Sequence, residues 1–94
     1  MPRRDDHADS EWSRYAARLA ISLQTARISA GLSQEQVAYR TGLSRYTYQK
    51  YERGESRPGM PANPTLRSVL AIAQALEVSL EDLMPAPRPD LRVR

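Results

Sequence analysis

Two short helical segments joined by a very short turn constrain the fold of this chain more than any other feature. In the stretch LSQEQVAYRTGLSRYTYQKYERG, Ser33 is followed three residues later by Gln36. This is the spacing of a capping box, so a helix begins directly after Ser33. Gly42 ends that helix after about two turns, and Ser44 can cap a second one. The segment therefore predicts two helices separated by a turn of about three residues.

This spacing is typical of a helix-turn-helix, in which the second helix can lie in the major groove of DNA. Ala38 is small where the two helices cross, and Leu43 fills the corner between them. Gly42 supplies a positive φ angle that a side chain would strain by about 1 kcal/mol. The residue types in the turn thus agree with the predicted geometry.

The rest of the chain is also predicted to be helical. Apolar residues at steps of three and four define a first helix from Ser10 to Gly31. Thr65 opens a fourth helix, and Ser79 caps a short fifth one. No segment shows the alternation of a strand, so we expect an all-α fold of five helices with the helix-turn-helix at helices 2 and 3. The expected organisation is a flexible N-terminal arm at 1–9, a helical domain at 10–84 and a Pro/Arg-rich tail at 85–94.

Composition excludes several classes of function. The chain has no cysteine, and its single histidine, His7, lies in a polar N-terminal stretch. Thiol chemistry and disulfides are therefore excluded, and no nucleophile–base pair or metal-ligand spacing is visible. We expect no enzyme activity, no metal and no cofactor. There is no apolar run of membrane-span length and no signal peptide, so we expect a cytoplasmic protein that does not bind membranes.

Charge is distributed unevenly along the chain, although the net charge is only +3. Residues 34–57 carry five basic residues against three acidic ones, whereas residues 65–84 carry one arginine against three acidic residues. One end of the domain should therefore be positive, as in proteins that orient on a polyanion. Within the basic segment, Tyr48 and Tyr51 share a helix face. We expect both rings in the core, with their hydroxyls reaching its rim.

The motifs LSQEQVA, GLSR, YERG and LAIAQAL, taken together, resemble the Xre/Cro family of helix-turn-helix repressors, and the resemblance spans about residues 19–84. It implies a repressor-like DNA-binding domain whose recognition helix, residues 44–53, lies in the major groove. It implies that Gln34 contacts a phosphate and braces Arg45. The implied base contacts are Ser44, Arg45, Tyr46 and Lys50. The implied backbone contacts are Gln34, Arg40, Gln49 and Arg57.

A structural ion pair also follows from the resemblance. Family members pair a glutamate at the position of Glu52 with an arginine late in helix 1, and Arg27 stands at the matching place. Such a pair would tie the first helix to the recognition helix.

The chain departs from the family pattern at several positions. Tyr48 replaces the usual isoleucine or valine, and residues 54–64 form an extended loop that carries a candidate phosphate contact. Glu77 stands where glycine is common, so either the turn differs or some strain is tolerated. Trp12 and Tyr15 lie outside the usual core. They either pack against helix 5 or the tail, or form a subunit interface.

The leading hypothesis is a sequence-specific double-stranded DNA-binding transcriptional regulator, acting as a repressor. We expect a homodimer on an inverted-repeat operator, because one helix-turn-helix buries too little surface for tight specific binding. The alternative is an antitoxin or other protein-interaction module on the same fold, which would bind a protein partner through its termini, including the tail at 85–94.

Overall fold

The computed structural model describes residues 6–93 and contains five helices and one β-hairpin within that range. Helix 1 begins four residues earlier than the predicted Ser10, so the last residues of the predicted arm are helical, and residues 1–5 lie outside the described part. In chain order the elements are α1 (Asp6–Ser29), α2 (Gln34–Thr41), α3 (Arg45–Arg53), β1 (Glu55–Arg57), β2 (Met60–Pro61), α4 (Leu66–Ala75) and α5 (Leu80–Leu83).

The predicted caps of the helix-turn-helix are present. The Ser33 side chain accepts from the backbone N–H of Gln36, whose side chain returns a bond to the Ser33 N–H. Gly42 has a φ of 73° and closes α2 through its own N–H. Ser44 caps α3 by accepting from the N–H of Thr47. The turn between the two helices therefore holds its shape through local bonds.

The core is built where the five helices meet. Tyr48 lies at its centre and is completely buried, together with its hydroxyl. The expectation that this hydroxyl reaches the rim of the core is therefore wrong, whereas Tyr51 is only partly buried at the edge. The buried residues of this cluster are Leu19, Leu23, Val37, Ala38, Tyr48, Val69, Ile72, Ala73, Leu76 and Leu83.

The all-α prediction is wrong in the segment after α3. Residues of the predicted loop form a two-stranded antiparallel sheet, in which Glu55 is opposite Pro61 and Arg57 is opposite Met60. The turn is closed by the Glu55 carboxylate, which accepts from the N–H of Gly59 at 2.8 Å. The strands are only three and two residues long, too short to show an alternating pattern in the sequence.

The two aromatic residues outside the usual core, Trp12 and Tyr15, pack within the chain. The Trp12 indole donates to the carbonyl of Ala62, just after the hairpin, at 3.0 Å. The Tyr15 hydroxyl donates to the carbonyl of Pro85 at 2.8 Å. Arg18 adds bonds to the carbonyls of Ala86 and Pro87, so α1 itself holds the start of the predicted Pro/Arg-rich tail.

The backbone passes very close to α1 where α3 leads into the hairpin. Gly54 has a φ of 76°, and a Cβ atom there would lie 3.2 Å from the carbonyl oxygen of Ala16 and 3.3 Å from the Cα of Ala17. Gly42 has nearly the same φ, 73°, but a Cβ there would meet nothing within 4 Å. The two glycines thus differ in packing and share the same backbone requirement.

This difference predicts unequal costs for two alanine substitutions. Gly42→Ala should lower the free energy of unfolding by about 1 kcal/mol through left-handed backbone strain alone. Gly54→Ala should lower it further, because helix backbone atoms cannot move aside as a flexible side chain can. Urea unfolding of both variants measures the difference, and equal losses would contradict the role given to the close approach.

The turn between α4 and α5 keeps the left-handed conformation that glycine favours, because Glu77 adopts a φ of 56°. Its N–H donates to the carbonyl of Gln74, and the next N–H, of Val78, donates to that of Ala73. The helix therefore ends as it would with glycine, and a strained side chain is tolerated.

Replacing Glu77 by glycine should raise the free energy of unfolding by up to about 1 kcal/mol, because glycine adopts this φ without steric cost. Glu77→Ala is the matched control, since it removes the carboxylate but keeps a Cβ. Thermal unfolding of both should separate them, and identical melting temperatures for the two variants would argue against strain at this position.

Candidate nucleic-acid interface

Helix α3 has one buried face and one exposed face. Tyr48 and Glu52, one turn apart, point inward and are 0% and 4% exposed. Arg45 and Tyr46 are exposed on other faces of the helix, and Tyr46 retains 63% of its accessible surface. Within the described residues the Arg45 guanidinium makes no hydrogen bond or ion pair. The helix therefore presents an unpartnered cation and an aromatic ring to its surroundings.

The other two predicted base-contacting residues are held by neighbours on the same helix. The Lys50 ammonium lies 4.4 Å from the ring centroid of Tyr46, a cation–π geometry. The Ser44 hydroxyl caps the helix and also donates to the hydroxyl of Thr47 at 3.0 Å. Ser44 keeps capacity for one further bond as an acceptor. Tyr46 and Lys50 thus contact each other on the surface of α3.

Behind this face, a hydrogen-bonded network connects the first three helices. Arg27 Nε donates to Glu52 Oε2 at 2.6 Å, and a terminal nitrogen of Arg27 donates to Oε1 at 3.1 Å. Gln34 also donates to Glu52 Oε1, at 3.0 Å, and accepts from the side chain of Gln49 at 3.2 Å. Gln24 donates to the Glu52 carbonyl. The ion pair expected from the sequence is therefore present as part of a larger cluster.

The brace expected from Gln34 to Arg45 is not formed. Gln34 uses its amide oxygen for Gln49 and its amide nitrogen for Glu52. Gln49 lies one helical turn beyond Arg45, nearer to the start of α2 in this packing. Each amide nitrogen retains a second proton, so both glutamines can still donate to a ligand.

The network sets the ionisation of its members. Burial alone would raise the pKa of Glu52, but hydrogen bonds, first of all from Arg27, outweigh it, and the pKa of Glu52 is lowered. The same bond raises the pKa of Arg27. Burial, followed by the nearby Glu52 carboxylate, raises the pKa of Tyr48. Its hydroxyl has no hydrogen-bond partner of acceptable geometry within residues 6–93. Glu52 thus stays charged in the core while Tyr48 stays neutral.

The remaining predicted contacts lie on other elements. Arg40 is exposed on α2 beside Tyr39, which is 88% exposed, and Arg57 is exposed on the hairpin.

Two residues that had no role in the sequence prediction also belong to the site. Gln24 could have been found from its position three residues before Arg27 on the same helix face. Arg53 borders both the network and the hairpin, and its only signal was its place in the basic segment.

Two other features are absent from the part of the chain that the structure describes. None of its helices is long and apolar enough to cross a bilayer. Across residues 6–93, no group of three or more metal-ligating side chains could hold an ion.

Comparison with known proteins gives one consistent family. The Helix-turn-helix domain family matches residues 18–86, which is most of the chain. The cryptic phage CTXphi transcriptional repressor RstR of Vibrio cholerae serotype O1 is 36% identical over 61 residues. That alignment covers 65% of this chain and 49% of RstR, so the chain matches about half the length of this relative.

Two solved structures share the fold. The restriction-modification controller protein C.AhdI from Aeromonas hydrophila superposes with a TM-score of 0.64 at 31% identity, covering 72% of this chain and 94% of that one. The hypothetical transcription factor NHTF from Neisseria gives a TM-score of 0.64 at 27% identity, covering 93% of this chain and 84% of that one.

Neutralising the carboxylate at the centre of the network should destabilise the fold in a pH-dependent way. Glu52→Gln leaves the largely buried Arg27 without its counter-ion, which we expect to cost about 3 kcal/mol. Because the folded pKa of Glu52 is below its ordinary 4.5, its contribution is present above pH 4.5 and is lost as the pH falls through the folded pKa. The gap between wild type and variant should therefore narrow in acid.

Urea unfolding at several pH values between neutral and strongly acidic measures this gap. Glu35→Gln, at an exposed position of α2, is the matched control and should change little. A gap that stays constant below pH 4.5 would contradict the assignment to a charged Glu52.

Proposed function

This chain belongs to the Helix-turn-helix domain family of DNA-binding transcription regulators, and on that premise we propose that it recognises a specific operator by placing α3 in the major groove. The observation that carries the proposal is the division of α3 into two faces. Its inner face is fixed by Tyr48 and Glu52, and its outer face presents Arg45 and the Tyr46–Lys50 pair. A helix with unpartnered polar groups on a rigid base meets the geometric requirement for base readout.

Chemistry assigns a role to each outer residue. Arg45 is suited to the O6 and N7 acceptors of guanine, through two parallel bonds. Lys50 can reach a guanine or a phosphate, and the Tyr46 ring can pack against a thymine methyl group. Ser44 lies at the helix start, where its hydroxyl and the nearby backbone amides face the same surface.

The backbone contacts would flank this surface. Gln34 and Gln49 are bonded to each other and can offer their remaining amide protons to a phosphate. Arg40 and Arg57 are exposed cations on α2 and on the hairpin. Such contacts fix the register of a protein on the duplex, while the α3 contacts select the sequence.

We further propose that the protein acts as a homodimer on an inverted repeat and represses transcription. A single domain of this size buries too little surface against DNA for tight specific binding. Two copies related by a two-fold axis double the buried surface and bind half-sites about one helical turn apart. Similarity to RstR, a transcriptional repressor, supports repression over activation.

Selection of binding sites from a random duplex DNA pool with the purified protein tests the proposal. We expect an enriched inverted repeat with half-sites about one helical turn apart. Enrichment of a single unrepeated site would overturn the dimer. No enrichment at moderate salt would overturn specific DNA binding and favour the alternative of a protein partner bound through the termini.

Arg45→Ala should lower the discrimination at one base step by about 1–3 kcal/mol, because a bidentate guanine contact is lost. Competition binding with the selected site and single-base variants of it measures this. Arg14→Ala, an exposed arginine on α1, is the control and should leave the preference unchanged. If Arg45→Ala binds preferred and scrambled duplexes with the wild-type ratio, its assigned role is wrong.

A further inference from the structure

The hairpin and the end of α3 together form a second cationic feature. Arg53 is the last residue of α3, and Arg57 is the last residue of β1. Both line one open pocket of about 210 Å³, together with Glu55, Pro58 and Gly59. The topology therefore places two arginines, four positions apart in the chain, around a common space beside the recognition helix.

The charges of this pocket are unbalanced. Neither the Arg53 nor the Arg57 guanidinium makes a hydrogen bond or ion pair within the described residues. Glu55 is the one acidic residue lining the pocket, and its carboxylate closes the hairpin turn by accepting from the N–H of Gly59. Two unpartnered guanidiniums suit a group with several anionic oxygens, and a phosphate is the group whose geometry arginine matches best.

The pocket is also held in a fixed position relative to α3. The N–H of Ala62 donates to the carbonyl of Gly54 at 2.8 Å, which closes the base of the hairpin. Ala62 in turn accepts from the Trp12 indole, and Gly54 is packed against the backbone of Ala16. The hairpin is thus fixed to α1 on one side and continuous with α3 on the other. An arginine held in this position can bind a phosphate at a set distance from the base contacts of α3.

We propose that Arg53 and Arg57 bind one and the same phosphate of the DNA backbone, so that the end of the recognition helix and the hairpin form a single phosphate-binding site. This inference rests on the proposed function and goes beyond it, because it gives Arg53 a role and makes the two arginines a single site. The shared phosphate would lie at the edge of the half-site, next to the end of α3.

Phosphate-by-phosphate substitution tests the shared site. The probe is the duplex enriched from the random pool, prepared as a series in which one backbone phosphate at a time is a neutral methylphosphonate. For the wild-type protein, one position near the end of each half-site should weaken binding by roughly tenfold, the size expected for hydrogen bonds to a charged group. Arg53→Gln and Arg57→Gln should each lose part of the sensitivity at that same position, because the other arginine still binds the phosphate, and the double variant should lose it entirely.

Arg14→Gln is the charge-matched control and should keep the wild-type pattern. The double variant Arg53→Gln/Arg57→Gln should lower the log–log salt slope by about 0.9, the value for one phosphate. Because both arginines are exposed, we expect neither substitution to change the melting temperature. Thermal unfolding of each variant checks that it remains folded.

Three results would overturn the inference. The first is loss of sensitivity at two different phosphates in the two single variants, and the second is a wild-type pattern in both. In either case the proposed function would still stand, provided that the wild-type protein enriches a specific DNA sequence. The third is a wild-type protein that enriches no sequence, which would overturn both the inference and the proposed function.

Discussion

The position of α3 depends on the buried pair between Arg27 and Glu52. Glu52 is almost completely buried, and a carboxylate there is tolerable only because its oxygens accept from Arg27 and Gln34 while its own carbonyl accepts from Gln24. These bonds connect α1, the start of α2 and the end of α3 at a single point. Since the pair is directional, it also fixes the rotation of α3 about its axis, which is what turns the arginine at its start, Arg45, outward.

Local features were predictable from sequence because they are decided within one helical turn. The capping serines Ser33, Ser44 and Ser79 all accept from the backbone three residues on, and Gly42 adopts the predicted left-handed conformation. The resemblance to Xre/Cro regulators is confirmed by the family match, and it also placed Arg27 correctly opposite Glu52. That pair is remote in sequence, so periodicity and spacing alone would not have found it.

Features that depend on packing between distant segments were not predictable in the same way. The hairpin at 55–61 is closed by a side-chain bond and is supported by Trp12 from the first helix, neither of which leaves an alternating pattern. The partner of Gln34 is Gln49 and not Arg45, which only the relative rotation of α2 and α3 decides. The burial of the Tyr48 hydroxyl likewise follows from its position beside the ion pair.

The described part of α1 that precedes the matched region contacts the segment after the hairpin and the start of the C-terminal tail. The first turns of α1 supply Trp12 to the hairpin and Tyr15 to the C-terminal segment, where Arg18 adds bonds to carbonyl groups. The first turns of α1 therefore support the hairpin segment, which is continuous with α3. A recognition helix must present the same few side chains to the bases each time it binds. Contacts that hold the elements around it in place reduce the freedom of the helix to rotate, and so favour this.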